Sequence, residues 1–537
     1  MDKSNYTKED LIKALATLFI DVSHAKRRGM IGAKIDRILA SYYDSLSNEH
    51  IARALLTLYG SEALLPKTGI LEKVINGMDE NRVKLLAEAL HLETNDPNIY
   101  DIVISNIRSK YNDILSFFEQ PDFFLEKKEK DDRSASELIS LEYEQPLKSL
   151  GYPHPYQNRV KLELEERIRK SSGSFRSLIV MPTGSGKTRT AIEFLIDFVR
   201  VRKNSNVLWV VESPSLSEQS LQSFKELWKL RGDREIKVHR CFSRFIPEIE
   251  LDSGTNIIFG AFDKMNSLRE KENIFYKKLR ESTNLMIIDE AHFSLAETYE
   301  QLITDIELNS QGLCKVGLTA TPMRMEDNEF HNLKDYFNGK IIDFKDEYDR
   351  SILNPLKYLQ DNEYLANLDI EYLSINDDEI HEDSNEFNDK VIERILSSVK
   401  EEKQIIVFSR SVDHAIGLNI LLQDKGVKSE CIIGDTSSND RLRYFNDFKS
   451  KDDNDRFKLN VLINYNILAT GIDLPRVDEL FLLRKFGNVT TAMQVLGRAL
   501  RGKNNGGNLR NKVISVKGNK TKISNESDLY NLIKNMH

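Results

Sequence analysis

Gly184-Ser185-Gly186-Lys187-Thr188 places two glycines, a cation and a hydroxyl in one short turn. In that order the types suit a phosphate: backbone N–H groups from Thr183 to Gly186 can surround its oxygens, and Lys187 can reach the outer charges. The Thr188 hydroxyl is a hard oxygen ligand of the kind Mg²⁺ takes, since that ion keeps most of its waters and needs few protein donors. The five residues fit the end of G-x-x-x-x-G-K-[ST], but the first glycine of the pattern is absent, with Met181 or Pro182 in its place. A second candidate is the acid pair Asp289-Glu290 in "NLMIIDEAHFS". In a phosphate-binding fold, Asp289 can hold Mg²⁺ through water and Glu290 can orient and deprotonate an attacking water. By itself, that tetrad also reads as a strand end meeting a helix cap. A third is Arg498 and Arg501, three apart and therefore on one face if helical.

Specific elements must position these groups. "SLIVM" before the turn is apolar and uncharged, as a buried parallel strand requires, and the residues from Thr190 to Val199 carry apolar positions at helical spacing. Further apolar runs, "NVLWVV", "NIIFGAF", "NLMIID" and "CKVGLTA", precede Pro322. "QIIVFS", "SECIIG", "KLNVLIN", "DELFLLR" and "NKVISVK" follow Lys403. Short runs alternating with helical stretches predict parallel sheets wrapped by helices, in two similar lobes. The acidic stretch "NDDEIHEDSNEFND" between the two sets reads as a surface loop.

The first 120 or so residues instead read as helices, with Thr7 capping a run whose Leu11, Leu15, Leu18 and Val22 share a face, and with Asp96 to Phe117 as one long amphipathic stretch. The charge run Glu126 to Arg133 marks a linker or an exposed face. The expected division is 1–135 helical, 141–350 first lobe and 355–537 second lobe.

With 30% charged and 40% hydrophobic residues, the composition is that of a soluble globular protein. No apolar stretch is long enough to span a bilayer, and the amino terminus lacks a signal-peptide core, so a cytoplasmic location and no membrane partner are expected. Cys241, Cys314 and Cys431 lie too far apart for a metal-ligand pattern and read as buried thiols. A net charge of −8 does not exclude nucleic acid, because a local basic groove and oriented N–H groups suffice to hold a phosphate backbone.

Together the motifs resemble those of superfamily 2 DEAD/DEAH-box helicases and translocases, over roughly Tyr152 to Gly502, and look most like the DNA motors of restriction and repair enzymes. The resemblance implies an α/β fold of two tandem RecA-like P-loop lobes after an all-α amino-terminal domain. It also implies ATP and Mg²⁺ as cofactors. Gln157, beside Tyr156, falls where the family reads adenine; Pro214, Leu216 and Gln219 in "VVESPSLSEQ" match a strand-gripping motif, without its common threonine-arginine pair. By the same resemblance, His292, Thr319 and Thr321 couple hydrolysis to lobe movement, Thr470 and Gly471 of "ILATGIDLP" bind phosphate, and Asp473 links that contact to the ATP site. In "QVLGRALRG", Gln494 belongs to the coupling set, and Arg498 and Arg501 act as fingers on the γ-phosphate.

The function implied is a nucleic-acid-stimulated ATPase, a helicase or double-strand translocase, with DNA favoured over RNA, acting in defence against foreign DNA or in repair. The alternative is an ATPase switch that clamps a duplex and recruits a partner. No acid-acid-lysine nuclease constellation stands out; "IIDFKDE" reads better as a solvated strand edge. Any nuclease would be a protein partner, docked through the amino-terminal helices. Those helices could otherwise brace the first lobe.

Overall fold

The computed structural model describes residues 7–60, 64–67, 69–121, 124, 133–141, 151–248, 251, 254–319, 327–342, 344–346, 348, 350–382, 384–465, 476–484, 495–497 and 500–518. Two sheets organise them. The first contains β1 (Ser136–Ile139), β2 (Phe175–Val180), β3 (Asn206–Val211), β4 (Ile236–Cys241), β5 (Asn256–Ala261), β6 (Thr283–Ile288), β7 (Cys314–Thr319) and β8 (Ile341–Ile342), in the order β1-β4-β5-β3-β6-β7-β2-β8. All neighbours are parallel except β1, which runs antiparallel to β4. The second contains β9 (Asn367–Ile375), β10 (Ile405–Phe408), β11 (Ser429–Ile432), β12 (Val461–Asn464), β13 (Glu479–Leu482) and β14 (Arg510–Gly518), in the all-parallel order β11-β12-β10-β13-β14-β9.

The central strands are buried on both faces, which is why they read as unbroken apolar runs: every residue of β3, β5 and β7 is buried. Trp209, Phe224, Trp228 and Phe259 fill one face of the first sheet. Parallel pairing brings the carboxyl ends of β2, β3, β6 and β7 to one edge, so the phosphate turn, Glu212, Asp289 and Thr319 all emerge there.

Strands β1, β4 and β9 are not apparent in the sequence, whereas β8 falls within "IIDFKDE", read there as a strand edge. β4 carries His239 and Arg240 in its buried pattern, and β9, at the sheet edge, is mostly half-buried, with Asp369 and Ser374 exposed. β1 lies between the expected first and second segments and belongs to the first sheet. The acidic stretch after β9 is only partly a loop, because the helix Asn385–Lys400 begins inside it, capped by Ser384.

The amino-terminal region is helical up to Phe117. Thr7 caps the first helix in a reciprocal box with Asp10, and Leu11, Leu15, Leu18 and Val22 are all buried. Asp96 to Phe117 is not one helix: Ile99–Ser105 and Tyr111–Phe117 are separate.

These helices pack on the second lobe and share one apolar core with it, rather than covering the first lobe as a brace. The helix Ala33–Ala40 lies against Val412–Asp424 so closely that a β-carbon at Gly417 would meet Ile38 Cγ2 at 2.8 Å. Polar contacts ring this seam. Lys8 pairs with Glu430, the Asp424 carboxylate meets His50 Nε2 at 2.7 Å and accepts from the Tyr43 hydroxyl, and Tyr42 donates to Asp389 (2.9 Å). No helix among the described residues is long and apolar enough to cross a membrane. Cys241, Cys314 and Cys431 are buried free thiols.

Candidate nucleotide site

β2 delivers the chain into a turn in which Gly184 (φ 81°) and Gly186 (φ 83°) both occupy the left-handed region. A side chain at either would be strained, so the glycines let the backbone fold back before the helix Lys187–Val201 begins. The turn is held from behind. Tyr156 Oη (2.8 Å) and Gln157 Nε2 (2.9 Å) both donate to the Ser185 carbonyl, and Gln157 Oε1 accepts from the His154 N–H (2.9 Å). Gln157 is thus buried against the turn, and a β-carbon at Gly186 would stand 2.4 Å from its Nε2.

Lys187 is only 9% exposed, with Nζ 3.8 Å from Glu290 Oε1. Thr188 Oγ1 donates to Asp289 Oδ2 (3.1 Å), and the Glu290 N–H donates to Asp289 Oδ1 (3.0 Å). The two β-strand ends therefore bring Lys187, Thr188, Asp289 and Glu290 into one group. Glu290 has φ 50°, the bend by which the chain turns from β6 into the short 3₁₀ helix Ala291–Leu295. Burial raises the proton affinity of the Asp289 carboxyl, and the neighbouring Glu290 charge raises it further. Burial, then Glu290 and Asp263, likewise raise that of Glu212, at the end of β3.

The donor set fits a nucleotide and a hard cation. Thr183 Oγ1 and Glu290 Oε2 are buried with no hydrogen-bond partner among the described groups, and two left-handed glycines frame the turn. Thr188 and Asp289 offer adjacent oxygens of the type Mg²⁺ takes.

The second lobe closes on the same turn. A β-carbon at Gly184 would lie 3.2 Å from Leu365 Cδ2 and 3.6 Å from both the Gly497 carbonyl oxygen and Leu500 Cβ. His154 Nε2 meets Asn505 Oδ1 at 2.7 Å, and its ring lies 4.4 Å from that of Tyr364. Arg501, bridged by its backbone to Leu365, loses proton affinity through burial. Neither Leu365 nor Asn505 carries a motif; their side chains matter only because two segments distant in sequence meet here.

Of the other expected residues, Pro214 opens the helix Pro214–Arg231, which Ser213 caps, and Gln219 is half-buried on it. His292 Nδ1 stands 3.5 Å from Glu290 Oε2. Thr319 ends β7, buried, its carbonyl accepting from the Met181 N–H at 3.2 Å. Thr321, Thr470, Gly471, Asp473, Gln494 and Arg498 lie outside the described residues.

Comparison with known proteins agrees with this geometry. The family model described as "Type III restriction enzyme, res subunit" matches residues 151–324, and "Helicase conserved C-terminal domain" matches residues 388–503. A protein of the Sulfolobus islandicus filamentous virus named as helicase 22 is 25% identical over 341 residues, covering 60% of this chain and 57% of its own. The Escherichia coli type I restriction enzyme EcoKI endonuclease subunit is 23% identical over 394 residues, covering 64% of this chain and 33% of its own. The chain spans about half the length of the curated relatives it matches first. Among solved structures, Saccharomyces cerevisiae Dbp5 bound to RNA and ADP BeF3 superposes with a TM-score of 0.50 at 17% identity, covering 72% of this chain and 88% of that one. The type ISP restriction-modification enzyme LlaBIII bound to DNA gives 0.51 at 14% identity, covering 72% and 30%. Two RecA-like lobes in tandem, with the family's two domain models matched in order, identify the chain as a superfamily 2 helicase related to the motors of restriction enzymes.

Proposed function

We propose that this chain is an ATP-driven motor on nucleic acid, a helicase or double-strand translocase with DNA favoured over RNA, serving defence against foreign DNA or repair from the cytoplasm. The observation that carries the reading is the meeting at Gly184: the phosphate turn of the first lobe lies directly against Gly497 and Leu500 of the second. A nucleotide held on that turn is then contacted from both sides, and lobe closure completes its site. The restriction-type family model supports DNA over RNA.

In this reading Thr183 to Thr188 hold the phosphates, and Gln157 reads the base. Thr188 and Asp289 hold Mg²⁺, whose chemistry is to neutralise charge on the phosphate oxygens. Glu290 accepts the proton of the water that attacks the γ-phosphorus, releasing ADP and phosphate. Lys187, Arg498 and Arg501 stabilise the charge that develops. Pro214, Gln219, His292, Thr319, Thr321, Thr470, Gly471, Asp473 and Gln494 carry the coupling to nucleic acid. The division of the chain into 1–135, 141–350 and 355–537 accompanies this assignment, with β1 joined to the first lobe.

The test is steady-state ATP hydrolysis with duplex DNA, single-stranded DNA and RNA, in the parent and in Lys187→Ala, beside strand- and triplex-displacement assays. Hydrolysis stimulated by DNA and abolished in the variant, with displacement of either kind, is expected. Stimulated hydrolysis with no displacement would support the clamp-and-recruit alternative, and a variant with the parent's rate would sink the assignment.

A further inference from the structure

Glu193 lies two turns into the helix that follows the phosphate turn, in a position no part of the nucleotide reading uses. Its carboxylate is 5% exposed and bridges two cations from different elements. Arg189, one turn earlier on the same helix, reaches Glu193 Oε1 at 3.4 Å, and Arg231, the last residue of the helix Pro214–Arg231, pairs with Oε2. Both arginines then donate to a single acceptor, the carbonyl of Gly151, at 2.8 Å and 2.6 Å. The Arg231 guanidinium also lies 5.5 Å from the ring of Tyr152.

The Gly151 carbonyl opens the stretch that ends in Tyr156 and Gln157, the two side chains holding the Ser185 carbonyl. Gly151 itself has φ 55°, a left-handed residue at the point where two guanidinium groups converge. A carbonyl taking two charge-assisted hydrogen bonds is held far more firmly than one facing water. A buried carboxylate is what allows two guanidinium groups to approach it together without mutual repulsion.

We propose that Glu193 is a positioning residue for nucleotide binding: through Arg189 and Arg231 it fixes Gly151, and through the stretch Gly151–Gln157 it fixes the shape of the phosphate turn. This deepens the ATPase reading and rests on it. Loss of the clamp loosens the turn in the free protein, so it weakens nucleotide affinity while leaving Lys187, Asp289 and Glu290 in place for the chemical step.

The experiment is a fluorescence titration of the full chain with a labelled ATP analogue, beside steady-state kinetics, for the parent, Glu193→Gln and Arg231→Lys. Glu193→Gln keeps the shape but removes the charge that holds the arginines together; Arg231→Lys keeps the charge but cannot bridge Glu193 and Gly151 as a fork does. Both are expected to raise Kd and KM about tenfold, with kcat at saturating ATP within about twofold of the parent. Unchanged Kd in a variant with lowered thermal stability would show a brace with no role in binding and overturn the proposal, as would a fall in kcat at unchanged Kd. A parent chain that binds no nucleotide would overturn the ATPase reading and the clamp together, whereas a parent that binds and variants that match it would overturn the clamp alone.

Discussion

Gly186→Ala tests how the phosphate turn is built, because two separate penalties meet at one atom. At φ 83° an alanine is strained in the left-handed region, which costs about 1–2 kcal/mol. Its methyl would also stand 2.4 Å from Gln157 Nε2, so the buried amide has to leave. That forfeits the bonds to the Ser185 carbonyl and from the His154 N–H, each worth about 1 kcal/mol net. The whole penalty is therefore about 3–4 kcal/mol, at least half of it from Gln157. Gln157→Ala alone removes the same two bonds and is expected to cost about 2 kcal/mol. The double variant has no amide left to displace, so it should be no less stable than Gly186→Ala, a coupling of about 2 kcal/mol. Equilibrium urea unfolding of the four proteins measures this, with nucleotide titration in parallel. Strictly additive costs would refute the claim that Gln157 fills the space behind Gly186.

Three further outcomes follow from the same structure. Glu290→Gln keeps the side chain's shape but cannot take a proton, so ATP binding should persist while turnover falls at least 100-fold; parental turnover would remove Glu290 from the role of base. A chain beginning at residue 133 exposes the apolar face that Val412–Asp424 buries against Ile38 and its neighbours, and is expected to aggregate on expression; a soluble product with basal ATPase would contradict a shared core. His239, buried on β4 between Ser136 and Asn256, has its pKa lowered by burial to about 4, so the fold favours the neutral ring. Stability should therefore fall as pH drops from about 6.5 towards 4, by about 3 kcal/mol in all, relative to His239→Gln, and parallel stability curves for the two proteins would argue against it.

The candidate nucleotide site of the first lobe was legible because its residue types and its elements coincide. The central strands are buried on both sides and read as plain apolar runs, and the candidate residues sit at their ends. What escaped were elements whose pattern depends on neighbours. β4 buries His239 and Arg240 because Ser136, Asn256, Glu137 and Glu218 satisfy them, and nothing local in "IKVHRC" announces those partners. β1 is a strand only because the edge of β4 receives it. The amphipathic helices before it advertise an apolar face but not what covers it; the small residue Gly417 that lets Ile38 approach lies 379 positions later. Leu365 and Asn505 at the nucleotide turn are invisible for the same reason.

That shared core has a mechanical consequence. The polypeptide leaves the helices seated on one lobe, enters the other at β1, and returns through the stretch between β8 and β9, so the lobes are joined by two covalent crossings instead of one. A single tether leaves every relative orientation open; a second covalent link limits how far the lobes can part and turn. Whatever is carried on the helices travels as a passenger of the second lobe, because the two share one core. Cutting one crossing should widen the range of motion without separating the halves.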